Sequence, residues 1–264
     1  MIMTAPALIL VSSGTGESRA AEAMLKLRKR LQMSRGDMDV SLAFLDTCPP
    51  SGPQVLSVLA TRGVNEVVFV PAELSRAVEV SDAVTDLMHR AQAAYPQIRF
   101  ALARPIGPAV ELLNVLDDAL RVALRDAHCT EIDGLVLSAP SCGDVRGSAL
   151  LSRRARQWSA HHKLPVHVAV ADGHGLDVGQ AIRGLRSAGR RHIAVGSLWL
   201  APDEGWIAQQ QLALANEAVA VSAPFCSHEQ LCDLILARYA FAAMELLTDE
   251  MLGLDEVLAD AVGD

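Results

Sequence analysis

The sequence predicts an α/β protein of two similar lobes, each a mostly parallel sheet flanked by helices, with a cleft between them. Three observations predict it. Short apolar runs of strand length alternate with amphipathic stretches of helix length, the order expected of right-handed βαβ units. The order then recurs: Leu59–Val70 ends a helix, turns on Gly63 and enters a buried strand, and Leu185–Gly196 repeats this around Gly189. Finally, 264 residues suit two domains of ordinary size. The expected domains are 1–127 and 132–264, joined by the polar segment His128-Cys129-Thr130-Glu131. Two similar lobes face each other across one cleft, the usual place for a small ligand.

In the first half, Ala7–Val11 is an apolar run suited to a parallel strand buried on both faces. The polar turn Ser12–Ser18 releases a helix over Arg19–Leu31, where Ala20, Met24, Leu25, Leu27 and Leu31 make one inward face. A strand over Asp39–Leu45 and the breaker cluster Cys48–Pro53 precede a helix over Gln54–Arg62 and a strand over Glu66–Val70. A helix over Ser81–Ala94 and a strand over Arg99–Ala103 lead through Pro105-Ile106-Gly107-Pro108 to a last helix, Ala109–Ala127.

The second half repeats the order with strands Gly134–Leu137, Pro165–Val170 and His192–Val195 and helices Gly147–Ala160 and Val178–Arg186. Ala171–Gly175 reads as a loop, and Val219–Ser222 leads into a helix over His228–Leu247. Met251, Leu254, Leu258 and Ala261 then recur at helical spacing, predicting an acidic amphipathic closing helix after Thr248.

Composition excludes several classes. A hydrophobic content of 51% with 4% aromatic supplies cores of Val, Leu, Ile and Ala, so a disordered chain is not expected. The formal charge of −8 argues against a nucleic-acid surface, which needs a basic stripe. Five cysteines without a C-x-x-C pair favour buried thiols in a reducing compartment over disulfides or a zinc ribbon. Ala7–Val11 is too short for a signal peptide or a membrane span, so a cytoplasmic protein without membrane attachment is expected.

In open α/β sheets the ligand sits at the carboxyl ends of the strands. The turns after each half's first strand, Ser12–Ser18 and Ser138–Asp144, therefore carry most weight. Gly14-Thr15-Gly16 is followed by Arg19 at the third fingerprint glycine, and no Gly-Lys-Ser/Thr occurs, so no nucleotide cofactor is expected. Two readings of these turns stand. One is a backbone nest for an anion at a helix N-terminus, strengthened by Arg19 and Arg146. The other is a turn with a Ser or Thr cap.

Order and content resemble the sirohydrochlorin chelatase family (CbiX/SirB type, class II chelatases), in the long form with two fused halves, from Ala7 to about Leu247. In that family the first strand runs into Gly-His-Gly-Ser/Thr, often followed by Arg-Asp-Pro-Arg. Here Gly14, Thr15, Glu17 and Arg19 match, and Ser13 stands in place of the histidine. A Pro-x-x-Leu run then leads to a second family histidine. Here Pro71-Ala72-Glu73-Leu74 leads to Val78-Glu79-Val80, with Glu79 at the histidine position and Asp82 at the acidic one that follows. In the second half Asp144 and Arg146 match the turn, with Pro140 where the histidine would be. Ser197–Pro202 and Ala223–His228 resemble the family's Ser-Tyr-Leu-Leu-Ala-Pro and Ala-Pro-Leu-Gly-x-His runs. The resemblance implies insertion of Fe2+ or Co2+, with Ni2+ a further candidate, into sirohydrochlorin or a related tetrapyrrole for siroheme or cobalamin biosynthesis. The metal is then a substrate.

Metal insertion needs a ligand that holds the ion above the ring and a base for the pyrrole protons, and neutral imidazole does both. The Ser13 hydroxyl is a poor ligand and no base at neutral pH. A carboxylate at Glu79 can do both, helped by Glu73 or Asp82; equally, Glu79 is a solvated residue at a helix start. Expected catalytic residues are Glu79 and Ser13, and expected metal ligands Glu79 and His174, the latter in the loop Asp172-Gly173-His174-Gly175. His161 and His162 are expected on a polar surface, His167 and His192 as hydrogen-bonded strand residues, and His228 at a helix start shaping the cleft. A ring rimmed by carboxylates calls for arginines. Expected substrate contacts are Gly14, Thr15, Arg19, Arg76, Arg104, Arg146 and Trp199. Trp199 and Trp206 either stack on the ring or cover the core.

The replaced histidines leave a second function class, a relative that binds a tetrapyrrole or serves as a partner subunit without inserting metal. A third is an α/β binding module for another anionic ligand. A homodimer or a partner enzyme is compatible with the first two.

Overall fold

The computed structural model describes residues 5–14, 18–45, 48–226 and 228–262, with side chains up to residue 246. The first half contributes β1 (Ala7–Ser12), α1 (Ser18–Ser34), β2 (Val40–Phe44), α2 (Gly52–Thr61), β3 (Glu66–Pro71), α3 (Asp82–Ala94), β4 (Arg99–Leu102) and α4 (Leu112–Asp126). The second contributes β5 (Gly134–Ala139), α5 (Val145–His162), β6 (Val166–Val170), α6 (Val178–Ser187), β7 (Ile193–Ser197), α7 (Glu204–Ala215), β8 (Ala220–Val221) and α8 (Glu229–Val262). Strand order is β2-β1-β3-β4 in one sheet and β6-β5-β7-β8 in the other, and neighbouring strands within each sheet run parallel. The central strands are buried on both faces, which is why β1 and β5 read as unbroken apolar runs.

The duplicated order is therefore present, element for element. Two features of the second half differ from expectation. A helix, α7, occupies Glu204–Ala215, where the sequence showed no helical period. Its Trp206, Ile207, Leu212 and Leu214 fall all round the axis, and Leu214 stays 53% exposed, so no single apolar stripe advertises it. Its start is nonetheless chemically marked: the Asp203 carboxylate accepts the Trp206 N–H at 2.8 Å as an N-cap. The closing helix is also no separate element, since α8 runs without a break to Val262; the side chains of its last turns lie outside the described residues.

Sequence halves and packing units are different things here. The last helix of each half packs on the other half's sheet: α4 lies against β7 and β8, and α8 against β3 and β4. The domain boundary expected at 128–131 thus separates chain segments rather than cores. Leu8, Leu10 and Val68 of the first sheet share one hydrophobic cluster with Leu116, Leu135, Trp158 and Ile235. Polar ties reinforce the exchange. The Tyr239 hydroxyl of α8 donates to the Pro6 carbonyl at 2.6 Å, and burial pushes its pKa up to about 12. Arg99 of β4 donates to the Leu246 carbonyl at 3.1 Å and pairs with Glu66 of β3. On the other side, the Trp158 indole donates to Asp117 of α4 at 2.6 Å, and Arg154 donates to the Pro108 carbonyl at 2.7 Å. Gly196 of β7 permits this packing, because a Cβ there would meet Trp158 at 2.6 Å.

A second inter-lobe contact lies at the strand ends. The backbone carbonyl of Ser75, just after β3, sits where a Cβ on Gly147 (1.8 Å) or Gly143 (1.9 Å) would stand. Only glycine allows that approach at the start of α5. In an ordinary helix Gly→Ala stabilises by up to about 1 kcal/mol, so the sign of a substitution is diagnostic. Gly147→Ala is expected instead to destabilise by about 1–3 kcal/mol through overpacking. The measurement is a lower denaturant midpoint at unchanged slope; a variant at least as stable as the parent would show that the loop contact yields freely.

Candidate functional site

A cavity of about 330 Å³ lies between the lobes at the carboxyl ends of β1, β2, β3, β5 and β7. Strand order makes that position physically sensible: each sheet reverses its direction of growth at its first strand, and the two reversals open a crevice there. Ser12 and Ser13 line it from the first turn, and Pro140, Ser141 and Gly143 from the equivalent second turn. Ala72–Arg76 enter after β3, and Trp199–Ala201 with Asp203 after β7. Ala20, Ala21, Met24, Phe44 and Leu74 supply apolar wall.

Among the described residues two carboxylates line the cavity, one from each lobe. Glu73 accepts the Ser81 backbone N–H through both oxygens at 3.3 Å, which ties the loop after β3 to the start of α3. Asp203 caps α7. Arg76 is the one arginine among the described lining residues, and it donates to the Val80 carbonyl at 3.4 Å. Trp199 is only 3% exposed, so it offers the cavity a floor rather than an open stacking face. Its indole N–H has no hydrogen-bond partner among the described residues. An unsatisfied buried donor costs about 1–3 kcal/mol, a cost that a ligand acceptor would remove.

The expected site residues are only partly brought together. Ser13, Arg76 and Trp199 share the cavity. Glu79, expected beside Ser13, does not join them. It is exposed and lines a separate depression with Val78, Thr85 and the equally exposed Arg104, because the loop after Arg76 turns away from the cleft before reaching it. The carboxylate that enters from this loop is Glu73. Arg19 and Arg146 are each the second residue of their helices, α1 and α5, and both are exposed and outside the lining. Gly14 is half-buried just beyond Ser13. Thr15 and Glu17 lie outside the described residues. Trp206 is committed elsewhere, its indole donating to Ser197 at 3.1 Å.

Among the described residues no histidine lines the cavity. His162, expected on a polar surface, is half-buried, 2.8 Å from Asp117 and edge-on to Trp158, so it belongs to the lobe interface. His167 contacts the Ala181 carbonyl at 3.2 Å, and His228 lies 3.4 Å from Asp118. His192 precedes β7, where its backbone N–H donates to Asp133.

His174 is different. It is 78% exposed, and its ring meets Asp172 and Cys142 in one cluster whose donor atoms all lie within 4.8 Å of one another. Asp172 knots two loops together, accepting backbone N–H bonds from Cys142 at 2.8 Å and His174 at 2.9 Å. Burial works to raise its pKa, but these donors and the Ser141 and Cys142 side chains outweigh it and hold the carboxyl at about 2. Burial first, then the neighbouring carboxylate, pushes the Cys142 thiol up. The cysteines expected as buried thiols divide: Cys226 and Cys232 are buried, Cys142 only in part. Cys142, Asp172 and Asp203 escaped notice as a group because no short spacing joins them. The only local signal was the glycine-bracketed His174.

The pKa of Asp172 has a measurable consequence. A carboxyl held at about 2 instead of 3.8 stabilises the fold fully above pH 3.8 and loses that contribution as pH falls through 2. Asp172→Asn should therefore be less stable than the parent at neutral pH, with the gap closing between these two values. A gap that stays constant down to pH 2 would refute the hydrogen-bonded carboxylate.

Comparisons with known proteins place this geometry. Residues 7–123 match the CbiX family model. No curated protein sequence matches the chain. Among solved structures, SirB from Bacillus subtilis with Fe3+ aligns over 90% of this chain and 96% of its own, at 15% identity and a TM-score of 0.75. The sirohydrochlorin chelatase SirB from Bacillus subtilis subspecies spizizenii, in complex with cobalt, aligns over 91% and 96% with the same identity and score. CbiX, the terminal enzyme for biosynthesis of siroheme in denitrifying bacteria, aligns over 89% and 99%, at 16% identity and a TM-score of 0.62. The N-terminal half is thus similar to the CbiX family, and about nine-tenths of the chain shares the two-lobed fold of these chelatase structures. Among the described residues no helix is long and apolar enough to cross a membrane.

Proposed function

We propose that the inter-lobe cleft binds a tetrapyrrole of the sirohydrochlorin class and that the protein inserts a divalent metal, Fe2+ or Co2+, into it. The carrying observation is the position of the cleft, at the meeting point of both first turns and the exits of β3 and β7. Its chemistry suits the substrate. Met24, Phe44 and Leu74 offer apolar surface to a planar ring, Arg76 a charge-assisted partner for a peripheral carboxylate, and Trp199 an unused donor.

Insertion replaces two pyrrole N–H protons with one metal ion, so two protons must leave the ring. Among the described residues Glu73 and Asp203, one from each lobe, are the carboxylates in the lining that could receive them. This assigns to Glu73 the role that position alone gave to Glu79. Ser13 then contacts the ring edge rather than ligating metal, since a neutral hydroxyl is a weak ligand. The reaction belongs to siroheme or cobalamin synthesis, and the metal is consumed as substrate. A soluble enzyme of the cytoplasm acting alone or with a partner enzyme fits this chemistry.

A second reading has its own support. With no histidine among the described lining residues, the cleft would hold the ring while insertion is lost or passes to a partner. Titration with sirohydrochlorin followed by added Co2+ or Fe2+ separates the two. Tight binding, seen as a change in the ring's absorption, followed by metal-dependent conversion supports the enzyme. Binding without conversion for either ion supports the second reading, and no binding sinks both. In the active case Glu73→Gln keeps an oxygen for the Ser81 N–H and should slow insertion by about a hundredfold while binding persists. Glu79→Gln should leave the rate unchanged, and the reverse pattern would restore Glu79 to the site.

A further inference from the structure

The geometry points to a metal-loading site on the rim of the second lobe, formed by Cys142, Asp172 and His174, which takes a thiophilic divalent ion before its transfer into the cleft. The inference rests on the chelatase reading for the ion's destination, but not for its ligation.

Cys142 follows β5 and the other two follow β6, so adjacent parallel strands deliver all three to one point at their carboxyl ends. Their donor atoms lie within 4.8 Å of one another, and the His174 Nδ1 already stands 3.7 Å from Asp172. Bonds of about 2.0–2.3 Å to a tetrahedral ion set ligand atoms on the order of 3.5 Å apart. The remaining closure falls to His174, whose side chain is 78% exposed and free to rotate without disturbing the core. Asp172 is the fixed member, held by backbone donors on both oxygens and by the Ser141 and Cys142 side chains, and loss of the Cys142 thiol proton on ligation frees an acceptor position for the ion.

The donor set selects the ion class. A thiol, an imidazole and a carboxylate favour Fe2+, Co2+, Ni2+ or Zn2+ over Mg2+ or Ca2+, which want oxygen shells. Ligation displaces the thiol proton to solvent, so one proton leaves and one metal–sulfur bond forms without any redox change. Three protein ligands leave a fourth position open to water or to an incoming ligand. The outlet is adjacent, because Ser141 and Gly143, on either side of Cys142, both line the cleft.

The test is anaerobic titration of the intact protein with CoCl2 alone, without tetrapyrrole. A thiolate-to-Co2+ charge-transfer band in the near ultraviolet, with one ion bound per chain, is expected. Cys142→Ser should abolish the band while circular dichroism stays unchanged, and His174→Ala should weaken binding at least about tenfold. A band that survives Cys142→Ser, or no band at millimolar Co2+, overturns the site. Should Asp172→Asn unfold the loops, the Cys142 and His174 variants still decide. Failure here with intact sirohydrochlorin turnover removes the loading site alone. A band without any sirohydrochlorin binding keeps the site and removes the chelatase reading.

Discussion

The exchange of last helices between the halves is the constraint on which the rest of the structure depends. Leu112, Val115, Leu116 and Leu120 of α4 are all buried, largely in the core they share with the second sheet. Each such side chain is worth about 1.5–3 kcal/mol when removed from water. The reciprocal helix α8 buries Leu231, Ile235, Tyr239 and Leu246 on the first sheet's side. Pulling the lobes apart would expose both sets at once, a cost comparable to the whole stability of an ordinary domain. The lobes therefore do not hinge open as independent bodies, and the cleft is held at a fixed separation by its own core.

A fixed cleft moves the burden of recognition onto the loops at the strand ends. The loop after β3 is pinned by the glycine contact at α5 and by the Gly107 N–H, which donates to the Glu73 carbonyl at 2.8 Å. Glu73 and Arg76 are thus presented from a held backbone, while Val78 and Glu79 project outward beyond it. The same loop carries one carboxylate into the cavity and one away from it. Proximity to a ligand in the cavity, not residue type, then distinguishes the two carboxylates.

Much of this was legible in the chain. Uniformly buried β1 and β5 betray themselves as apolar runs, and the recurrence around Gly63 and Gly189 gives the duplication, because each copy must make the same helix-to-strand turn with a positive φ. The turns after β1 and β5 were legible as the site because strand order alone puts ligands there. What escaped depends on three-dimensional choices that spacing does not encode. Glu79 and Glu73 differ by six positions in one irregular loop, and only the folded loop says which faces in. The lobes' exchange of α4 and α8 escaped too, since an amphipathic helix shows that it is buried but not on which sheet. α7 had no stripe to find, and with it went Asp203. Cys142 and Asp172 meet through strand pairing across thirty positions, a distance at which no local pattern survives.

Duplication explains how a cleft with no histidine among its described lining residues keeps a donor set at its rim. Two equivalent turns face one cavity, so groups for metal and proton need come from only one lobe at a time. In the first lobe the described part of the turn offers only the Ser13 hydroxyl, a weak ligand. In the second, Pro140 removes both a side-chain ligand and a backbone donor, yet the next residues, Ser141 and Cys142, reach the loop after β6 through Asp172. Gly143 and Gly147 hold that turn tightly, pressed against the Ser75 carbonyl. Ligands on a rigid turn lose little entropy on binding, and a mobile third ligand lets the ion leave. The combination of fixed Cys142 and Asp172 with a rotatable His174 therefore has the mechanics of a site that passes metal on, beside a cleft whose walls cannot move to meet it.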